Sequence, residues 1–439
     1  MRSGDAPAYA AVDLGASSGR VVLGRLDGGR VALEEVRRFP NRPVCLPDGL
    51  RWNLLHLFTE VLEGLRAATG QAGPLAGIGV DAWGVDYALL DDAGRVLGLP
   101  FHYRDDRTRG MADRAFARVG QDELYATTGI QTIPINTVFQ LLADEGTPAL
   151  AAARRVALVP DLLAFWLSGE LVNERTAAST TGLLDARTGA WAVDLIARLG
   201  LPSCAFGVLC DPGTPLGPVL DHHGLGGAPV FAVAGHDTAS AFAAAPLAGD
   251  ERAAILSSGT WSLLGLELDR PVLTPQAGAF NLTNERGIDG TTRLLRNVMG
   301  LWLVQECRRE WEAAGGPSDY HELSRLAAAA RADVPLFDPD EDAFLPAGDM
   351  SGRIDAACRA AGQAPPETPG EYVRAIVVSL ACKYRLVLER LERVSGHEVD
   401  CIHVIGGGAR NELLCRLTAE LVGRPVYAGP VEAPEAAVA

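Results

Sequence analysis

The sequence predicts a mixed α/β protein built from two related domains. Its 439 residues exceed what one hydrophobic core usually supports, and 48% of them are hydrophobic. A short strand, a polar glycine turn and a second strand follow one another near residue 10, and the same order returns near residue 255. Segments with helical apolar spacing alternate with these strands. A duplicated domain explains both the length and the repeat.

The composition argues against several kinds of protein. A formal net charge of −16 disfavours binding to nucleic acid or to an anionic membrane surface. No apolar run approaches the roughly 18 residues of a spanning helix, and the N-terminus lacks the apolar segment of a signal peptide. The eight cysteines are scattered without a CxxC pair, which is typical of reduced thiols. We therefore expect a cytoplasmic protein with no nucleic-acid or membrane partner.

The first domain begins with a predicted antiparallel meander. Strands are expected at 9–13, 21–26 and 31–39, and the first two flank the polar turn Gly15-Ala-Ser-Ser-Gly19. Such a turn presents successive backbone N–H groups and hydroxyls, which suits phosphate oxygens. Asp13 stands just before the turn, where its carboxylate can reach a magnesium ion directly or through water. The alternative is an ordinary hairpin turn, because Gly and Ser are common in turns.

The next stretch combines aromatic and acidic residues. We expect, in order, a helix at 52–69, a buried strand at 78–81, the motif Trp83-Gly-Val-Asp86, a strand ending at residue 90 and a further strand at 96–100. An aromatic wall, a bare backbone and a carboxylate together suit a polyol ligand. The alternative is a core tryptophan beside a bulge. The polar cluster at 103–108 is equally open, as a sugar-contacting loop or as a solvated helix start.

Residues from about 100 to 200 are predicted to be mainly helical. Apolar spacing places helices at 108–119, 122–128, 136–142, 148–154, 161–167 and 194–199. A small polar loop is expected at 177–182. This section is interpreted as an insertion on the first domain.

A candidate catalytic residue follows a short apolar strand at 230–234. Gly235 permits a sharp turn, and His236, Asp237 and Thr238 then open a helix of small residues. A carboxylate at a helix N-terminus is kept ionised, which makes Asp237 a candidate general base. The alternative is an N-cap that only satisfies free N–H groups of the helix.

The second half repeats the strand–turn–strand order and ends in a glycine turn. Strands are expected at 253–256, 261–266 and 401–405, the polar turn at 257–260, and helices at 300–312, 320–331, 369–394 and 412–422. Residues 335–369, rich in proline, are interpreted as a surface excursion. Gly406-Gly-Gly408 lets a flat ring or a phosphate lie against the backbone. The sequence has neither a GxGxxG fingerprint with its acidic partner nor a GxxxxGK[ST] loop, which disfavours a dinucleotide site and a P-loop.

These motifs together resemble the sugar kinase–actin–chaperone superfamily. Within it the sequence resembles the FGGY carbohydrate kinases, in particular those acting on L-rhamnulose, over residues 8 to 433. The resemblance rests on Val12-Asp-Leu-Gly-Ala-Ser-Ser-Gly-Arg20, Gly79-Val-Asp-Ala-Trp-Gly-Val-Asp86, His236-Asp-Thr238, Ser257-Ser-Gly-Thr-Trp-Ser262, Asn297-Val-Met-Gly-Leu-Trp302 and Gly406-Gly-Gly408. It implies a two-lobed actin-like, ribonuclease H-like ATPase fold with duplicated domains and an interlobe cleft. The sugar-binding domain would span 1–240 and the nucleotide-binding domain 241–439.

The resemblance also implies a role for individual residues. Asp237 would take the proton from the 1-hydroxyl of L-rhamnulose as ATP phosphorylates it, and Asp13 would help to place Mg²⁺. The sugar contacts would be Gly84, His236, Asp237, Thr238 and Asn297. The ATP contacts would be Ala16, Ser17, Ser18, Gly19, Arg20, Thr260, Gln305 and Gly407. Partners would be limited to the sugar and ATP, in a monomer or homodimer.

Two alternatives to this function remain open from the sequence. The first is another FGGY kinase, acting on L-fuculose, a pentulose or glycerol, although Trp83, Gly84 and Asn297 favour L-rhamnulose. The second is an actin-like ATPase or chaperone module, which needs no polyol pocket.

The end of the sequence departs from the family pattern. A small hydroxyl residue, a Gly-Asn turn and a helix are expected after residue 433, whereas this sequence reads Pro434-Glu-Ala-Ala-Val-Ala439. Pro434 disfavours a helix through this point. We therefore expect a truncated, frameshifted or shortened chain that exposes apolar surface on the helix at 412–422. Such a chain would bind ATP more weakly and be less stable than a longer relative, or would oligomerise.

Overall fold

In the computed structural model, which describes residues 6–27, 30–247 and 252–430, the chain divides into two units. The first contains residues 6–244 together with Glu267–Leu294, and the second contains the remaining described residues up to 430. The predicted boundary at 240/241 stays a prediction. The expectations for residues 431–439 fall outside the described residues.

The elements of the first 244 residues are mostly strands at the start and helices afterwards. The strands are β1 Ala8–Leu14, β2 Ser18–Asp27, β3 Arg30–Pro40, β4 Val44–Leu46, β5 Gly49–Arg51, β6 Gly77–Ala82, β7 Tyr87–Leu90, β8 Arg155–Leu158, β9 Asn173–Glu174, β10 Leu209–Cys210, β11 Pro215–Pro218 and β12 Pro229–Phe231. The helices are α1 Leu54–Ala72, α2 Met111–Val119, α3 Gln121–Thr128, α4 Thr137–Ala143, α5 Pro148–Ala152, α6 Val159–Ser168, α7 Arg175–Ser179, α8 Val193–Arg198 and α9 Asp237–Ala243.

The rest of the chain continues the alternation of strands and helices. The strands are β13 Ala253–Ser258, β14 Trp261–Leu268, β15 Thr283–Arg286, β16 Thr292–Met299, β17 Cys401–Ile405 and β18 Val426–Ala428. The helices are α10 Pro275–Ala279, α11 Trp302–Ala313, α12 Tyr320–Ala329, α13 Met350–Ala360, α14 Pro369–Ser395 and α15 Glu412–Val422. Among all the helices of residues 6–27, 30–247 and 252–430, none has the length and apolarity that crossing a membrane requires.

The two large sheets share an equivalent central arrangement, which confirms the predicted duplication. The first sheet runs β11-β12-β6-β1-β2-β3, with β1, β2 and β3 antiparallel and β12, β6 and β1 parallel. The second runs β15-β16-β14-β13-β17-β18, with β13 antiparallel to β14 and parallel to β17. In each sheet, the first strand of an antiparallel hairpin, β1 or β13, also pairs on its other edge with a parallel strand from later in the chain, β6 or β17.

Helix α1 covers the meander through one apolar face. Leu57, Val61 and Leu65 are buried at helical spacing, and the Asn53 side chain caps the first turn by accepting from a backbone N–H. A Cβ added at Gly64 would lie 2.4 Å from Val21 Cγ2, so this glycine allows α1 to approach β2 closely. In the second unit, α14 buries Tyr384, whose hydroxyl donates to Ser262 Oγ at 2.7 Å.

Three expectations for local structure were wrong. Residues 96–100 form no strand: Val96 makes an isolated bridge with Leu90, and Phe101, just after the range, makes another with Arg51. Residues 177–179 belong to α7 rather than to a loop, because the buried Glu174 caps that helix. The proline-rich stretch at 335–369 contains α13, whose inner face is buried and packs with Phe344.

The apolar residues of α15 are covered more fully than expected. Leu413 and Leu414 are buried, and the other leucines and the valine of this helix are half-buried. The expected exposed apolar face on this helix is therefore absent from the described residues.

Candidate active site

Polar residues of the first unit gather where its parallel strands end. Asp13 on β1 pairs in register with Asp81 on β6, and both side chains are buried. The next residue of β6, Ala82, forms a parallel bridge with His236. The Ala82 N–H donates to the Gly235 carbonyl at 3.0 Å. Gly84 follows the end of β6. Carboxyl ends of neighbouring parallel strands are a common place for ligand sites, so the sequence-predicted residues converge at such an edge.

Asp237 is a partly exposed carboxylate at the start of α9. Its side chain is 28% exposed, and the Thr238 hydroxyl donates to its Oδ1 at 3.1 Å. The N-cap position of α9 is His236, and no side chain caps this helix, so the N-cap alternative for Asp237 is wrong. Burial raises the pKa of Asp237, His236 opposes this shift, and the charge of Asp13 adds to it. A raised pKa makes the carboxylate a better proton acceptor.

His236 is a buried residue with contacts at both ring nitrogens. Nε2 lies 3.4 Å from Asp237 Oδ1, while Nδ1 lies 3.2 Å from an Arg293 nitrogen and 3.3 Å from Glu285 Oε2. Arg293 is fully buried, and its Nε donates to the Arg286 carbonyl at 3.0 Å. An ion pair therefore stands behind His236 on the side away from Asp237.

Glu174 fixes the backbone that carries these residues. Its Oε2 accepts from the Gly235 N–H at 2.9 Å and from the Thr176 hydroxyl at 2.5 Å, and that hydroxyl accepts from the His236 N–H at 3.2 Å. Burial raises the pKa of Glu174, and burial together with the Glu174 charge raises the pKa of Asp161 well above its ordinary value. Glu174 thus orients the Gly235 turn, and the protein bears the energetic cost of burying two neighbouring carboxyl groups, Glu174 and Asp161.

Asp86 faces the protein interior rather than a ligand. It is 1% exposed, and its carboxylate accepts from the indole N–H groups of Trp52 and Trp83 and from Gln140 Nε2. Burial raises its pKa to about 6, against these hydrogen bonds. The expected use of this carboxylate for a polyol is therefore wrong, because the core already occupies its oxygens.

Val85 holds a strained turn that presents Gly84. Its φ is 69°, which a β-branched residue rarely adopts, and the Asp86 N–H donates across it to the Gly84 carbonyl at 3.0 Å. The Val85 N–H donates to Thr180 Oγ1 at 3.0 Å, and its carbonyl accepts from Thr137 Oγ1 at 2.6 Å. Such strain costs about 1–3 kcal/mol and persists where neighbours over-determine the turn, often at functional sites.

The polar cluster at 103–108 has a structural role in the first unit. Asp105 caps the short 3₁₀ helix that begins at residue 106, by accepting from the Arg107 N–H, and it also accepts from the Leu50 N–H at 2.7 Å. The Arg107 guanidinium pairs with Asp144 at 2.5 Å. The cap by Asp105 matches the helix-start alternative, but the Arg107 side chain is 13% exposed and therefore largely buried rather than solvated.

The turn between β1 and β2 has the form of an anion cradle. The Gly15 N–H donates to the Ser18 carbonyl at 2.9 Å, and Asn41 holds the turn from outside through the Gly15 and Ser17 carbonyls. The N–H groups of Ala16 and Ser17 donate to no other group within the described residues. Two free N–H groups on a fixed turn suit phosphate oxygens.

Asp13 and Arg20 form an ion pair beside this turn. Both Nε and one terminal nitrogen of Arg20 lie 2.9 Å from Asp13 Oδ2. Gly19 is required here, since a Cβ would lie 2.4 Å from the Phe39 ring. Within the described residues no group of three or more His, Cys, Asp or Glu side chains could hold a metal ion. Since Arg20 engages Oδ2 of Asp13, the other carboxylate oxygen could reach a Mg²⁺ that phosphates and water otherwise coordinate.

The second unit has an equivalent turn at Thr260. The Thr260 carbonyl accepts from the N–H groups of Gly300 and Trp302 at 3.2 and 3.1 Å, while its hydroxyl donates to Gln305 Oε1 at 3.3 Å. Its own N–H makes no hydrogen bond within the described part of the chain. The turn is thus fixed by its carbonyl and leaves one donor available.

The glycine turn after β17 contains one open and one packed position. A Cβ added at Gly408 would lie 2.0 Å from Ser258 Oγ, whereas a Cβ at Gly407 would meet nothing within 4 Å. Gly406 adopts a φ of 78°, which turns the chain out of β17. Gly407 therefore presents exposed backbone next to the end of β13.

Comparison with known proteins identifies the family. Residues 8–243 match the N-terminal domain of the FGGY family of carbohydrate kinases, and residues 254–437 match its C-terminal domain. The chain belongs to the FGGY family of carbohydrate kinases.

Individual FGGY relatives cover nearly the whole chain. It is 43% identical to a rhamnulokinase of Bacteroides thetaiotaomicron over 97% of this chain and 88% of the relative. It is 42% identical to a rhamnulokinase of Klebsiella pneumoniae over 96% of this chain and 86% of the relative. The gluconate kinase structure from Lactobacillus acidophilus superposes with a TM-score of 0.78 at 17% identity, covering 99% and 88% of the two chains. The predicted two-lobed α/β kinase fold is confirmed.

The structure brings some of the predicted residues of this FGGY kinase together within each unit. In the first unit, Gly84, His236, Asp237 and Thr238 lie at neighbouring strand ends. In the second, Thr260 contacts Gln305, and Gly407 belongs to the turn packed on Ser258. Asn297 lies on β16, and its predicted sugar contact stays a prediction.

Sequence reasoning missed the residues that support the site. Glu285 and Arg293 lie on β15 and β16, two strands that the sequence analysis did not assign. Glu174 lies on a strand of two residues. Asn41 follows the meander and fixes the first polar turn. Arg293 stands in the mixed stretch Thr291-Thr-Arg-Leu-Leu-Arg-Asn297, so no pattern of charge or hydropathy singled it out.

Proposed function

We propose that this FGGY kinase transfers the γ-phosphoryl group of ATP to the 1-hydroxyl of L-rhamnulose, giving L-rhamnulose 1-phosphate and ADP. The observation that carries the proposal is the 40–43% identity to proteins named rhamnulokinase over nearly the whole chain. The placement of Gly84, His236, Asp237 and Thr238 at adjoining strand ends supports it.

Asp237 is the proposed general base. Its exposed edge accepts the proton of the 1-hydroxyl as that oxygen attacks the γ-phosphorus and ADP leaves. Because its pKa is raised, the Asp237 carboxylate is a stronger base and accepts a proton from a hydroxyl group more readily. Gly84 offers bare backbone to the sugar, because the Val85 turn holds it in place and a side chain there would lie 3.0 Å from Thr180.

The proposed ATP contacts fall in both units. In the first, the turn at 16–19 and Arg20 supply N–H groups and a guanidinium. In the second, the proposed contacts are Thr260, Gln305 and the open backbone at Gly407. When bound with ATP, Mg²⁺ neutralises phosphate charge, and Asp13 is the residue that would hold it. Positioning and charge neutralisation are what phosphoryl transfer chiefly requires. The proposal includes a role in L-rhamnose degradation in the cytoplasm.

A coupled ADP assay across a panel of sugars tests this proposal. L-Rhamnulose should give the highest kcat/KM among L-rhamnulose, L-fuculose, L-xylulose, L-ribulose and glycerol, and ADP release without sugar should be negligible. A markedly higher kcat/KM for another sugar would assign the protein to a different FGGY activity. ADP release that is independent of every sugar would favour the actin-like ATPase alternative.

A further inference from the structure

The ring nitrogens of His236 have different neighbours: Nε2 faces the Asp237 carboxylate, whereas Nδ1 faces both members of the Arg293–Glu285 ion pair. Nδ1 lies 3.2 Å from an Arg293 nitrogen, and a guanidinium can only donate hydrogen bonds. When the guanidinium donates to Nδ1, neutral His236 carries its single ring hydrogen on Nε2; a hydrogen on Nδ1 would instead point to Glu285 Oε2 at 3.3 Å. Nε2 lies 3.4 Å from Asp237 Oδ1. The ring can therefore donate to the carboxylate or to a hydroxyl beside it.

We propose that Arg293, paired with Glu285, is a positioning residue that holds His236 in the tautomer with its hydrogen on Nε2, which keeps Asp237 competent as a base. The inference rests on the proposed function, in which Asp237 accepts the sugar proton. It assigns a role to two residues that do not contact the reacting atoms.

Arg293 is held firmly enough to select one tautomer. Its side chain is fully buried, its Nε donates to the Arg286 carbonyl at 3.0 Å, and a terminal nitrogen lies 3.2 Å from Glu285 Oε2. Its guanidinium also lies over the Phe242 ring of α9, with 5.6 Å to the centroid. A planar guanidinium fixed at three places has little freedom to turn away from Nδ1. Burying this ion pair is costly, which is consistent with a use beyond stability.

Glu285 defines what happens when Arg293 is removed. Its Oε2 lies 3.3 Å from His236 Nδ1. Without the competing guanidinium, Nδ1 would carry the hydrogen and donate to Glu285. Nε2 would then present a lone pair to Asp237 Oδ1. Two facing lone pairs disfavour the ionised carboxylate, so the pKa of Asp237 would rise further.

The other charged groups around this cluster come from several strands. They are Asp13 on β1, Glu174 on β9, Glu267 on β14, Glu285 on β15 and Arg293 on β16. Asp13 acts on Asp237 by charge, Glu174 and Glu267 act on Arg293 by charge, and Glu285 contacts Arg293 directly. Within this cluster, His236 is the one whose ring nitrogen Nε2 lies near the Asp237 carboxylate, at 3.4 Å from Oδ1. The tautomer is therefore the feature that the variants below should change.

The first test reads the tautomer of the parent protein without any reaction. ¹⁵N spectra of histidine-labelled protein distinguish Nδ1–H from Nε2–H, and the signal of His236 is assigned by its loss in His236→Gln. We expect Nε2–H. A hydrogen on Nδ1 in the parent would overturn the inference, and this result is independent of which sugar is phosphorylated.

The second test is Arg293→Met. We expect the His236 signal to change to Nδ1–H, kcat to fall roughly 10- to 100-fold, and the acidic limb of the kcat/KM profile to move to higher pH. The KM for ATP should change little. The control is Lys383→Met, which removes a buried ammonium group that pairs with Asp338 and Asp340 in the second unit and should cost stability without moving the pH profile or the tautomer. An unchanged profile and tautomer in Arg293→Met would contradict the proposal.

The double variant Arg293→Met/Glu285→Gln tests the role by rescue. It removes the buried ion pair as a whole, and the side-chain amide introduced at position 285 can donate to Nδ1 as the guanidinium did. The Nε2–H tautomer and most of kcat should return. A double variant that folds but remains as slow as Arg293→Met, or that keeps Nδ1–H, would reject the proposal. Failure of the parent to phosphorylate L-rhamnulose, with the tautomer as expected, would instead reject the proposed function alone.

Discussion

Gly407 and Gly408 are neighbouring glycines for which the structure predicts opposite consequences of adding a side chain. A Cβ at Gly407 meets nothing within 4 Å, and its φ is not in the left-handed region. Gly407→Val should therefore change the free energy of unfolding by no more than about 0.5 kcal/mol. If ATP lies against this backbone, the added branched side chain displaces it. A loss of about 1.4–2.8 kcal/mol corresponds to a KM for ATP raised 10- to 100-fold.

Gly408→Ala is the matched control in the same turn. Its Cβ would lie 2.0 Å from Ser258 Oγ and 2.4 Å from Ser258 Cβ, so the end of β13 must move. Overpacking of this kind costs about 1–3 kcal/mol, and the melting temperature should fall accordingly. Steady-state kinetics with each substrate varied in turn, together with thermal unfolding, separates the two variants. The assignment of Gly407 to the nucleotide would be wrong if Gly407→Val lost affinity for the sugar and kept its KM for ATP.

Of three further predictions, two concern other residues of the site and the third concerns the core beside it. Thr260→Ala should raise the KM for ATP several-fold and leave sugar binding nearly intact, because it removes a hydroxyl on a turn whose backbone carbonyl is fixed independently; equal losses for both substrates would refute this. Gly84→Ala should raise the KM for the sugar but not for ATP, since its Cβ would lie 3.0 Å from Thr180 Cγ2. The pKa of Asp86 is about 6, above the ordinary 3.8, so this carboxyl stabilises the fold while protonated and that stability is lost as the pH rises through 6. Relative to the parent, Asp86→Asn should therefore gain up to about 3 kcal/mol in unfolding free energy between pH 4 and pH 7, and a difference that stays constant with pH would contradict it.

Local sequence patterns predicted most of the framework. The meander, α1, the strand at β6 and the long helix α14 follow from period-two or helical apolar spacing that their packing then satisfies. The polar turns at 15–19 and 257–260 were recognisable because Gly and Ser interrupt apolar strands. The wrong expectation for residues 335–369 has a tertiary cause, because packing there overrides composition. Phe344 and α13 pack into the core although their segment is rich in proline and charge.

The candidate site was only partly visible in the sequence. Asp237 and Gly84 stand in motifs with evident chemistry, and the structure places them at adjoining strand ends. The groups that tune them do not stand in motifs. Glu285 and Arg293 lie about 50 residues after His236, and their effect depends on a buried contact of about 3 Å that no spacing rule encodes. Asp86 shows the converse, since a motif with the right residue types proved to be part of the core.

The measurement that tests the central claim most directly is the turnover of Asp237→Asn with ATP and L-rhamnulose. Asparagine keeps the shape of the side chain and the contact with Thr238 but cannot accept the proton. The account predicts a kcat lowered about 10²- to 10⁴-fold, with an unchanged melting temperature and both substrates still bound, as calorimetry would show. A variant that folds, binds both substrates and turns over within a few-fold of the parent would contradict the role of Asp237 as the base.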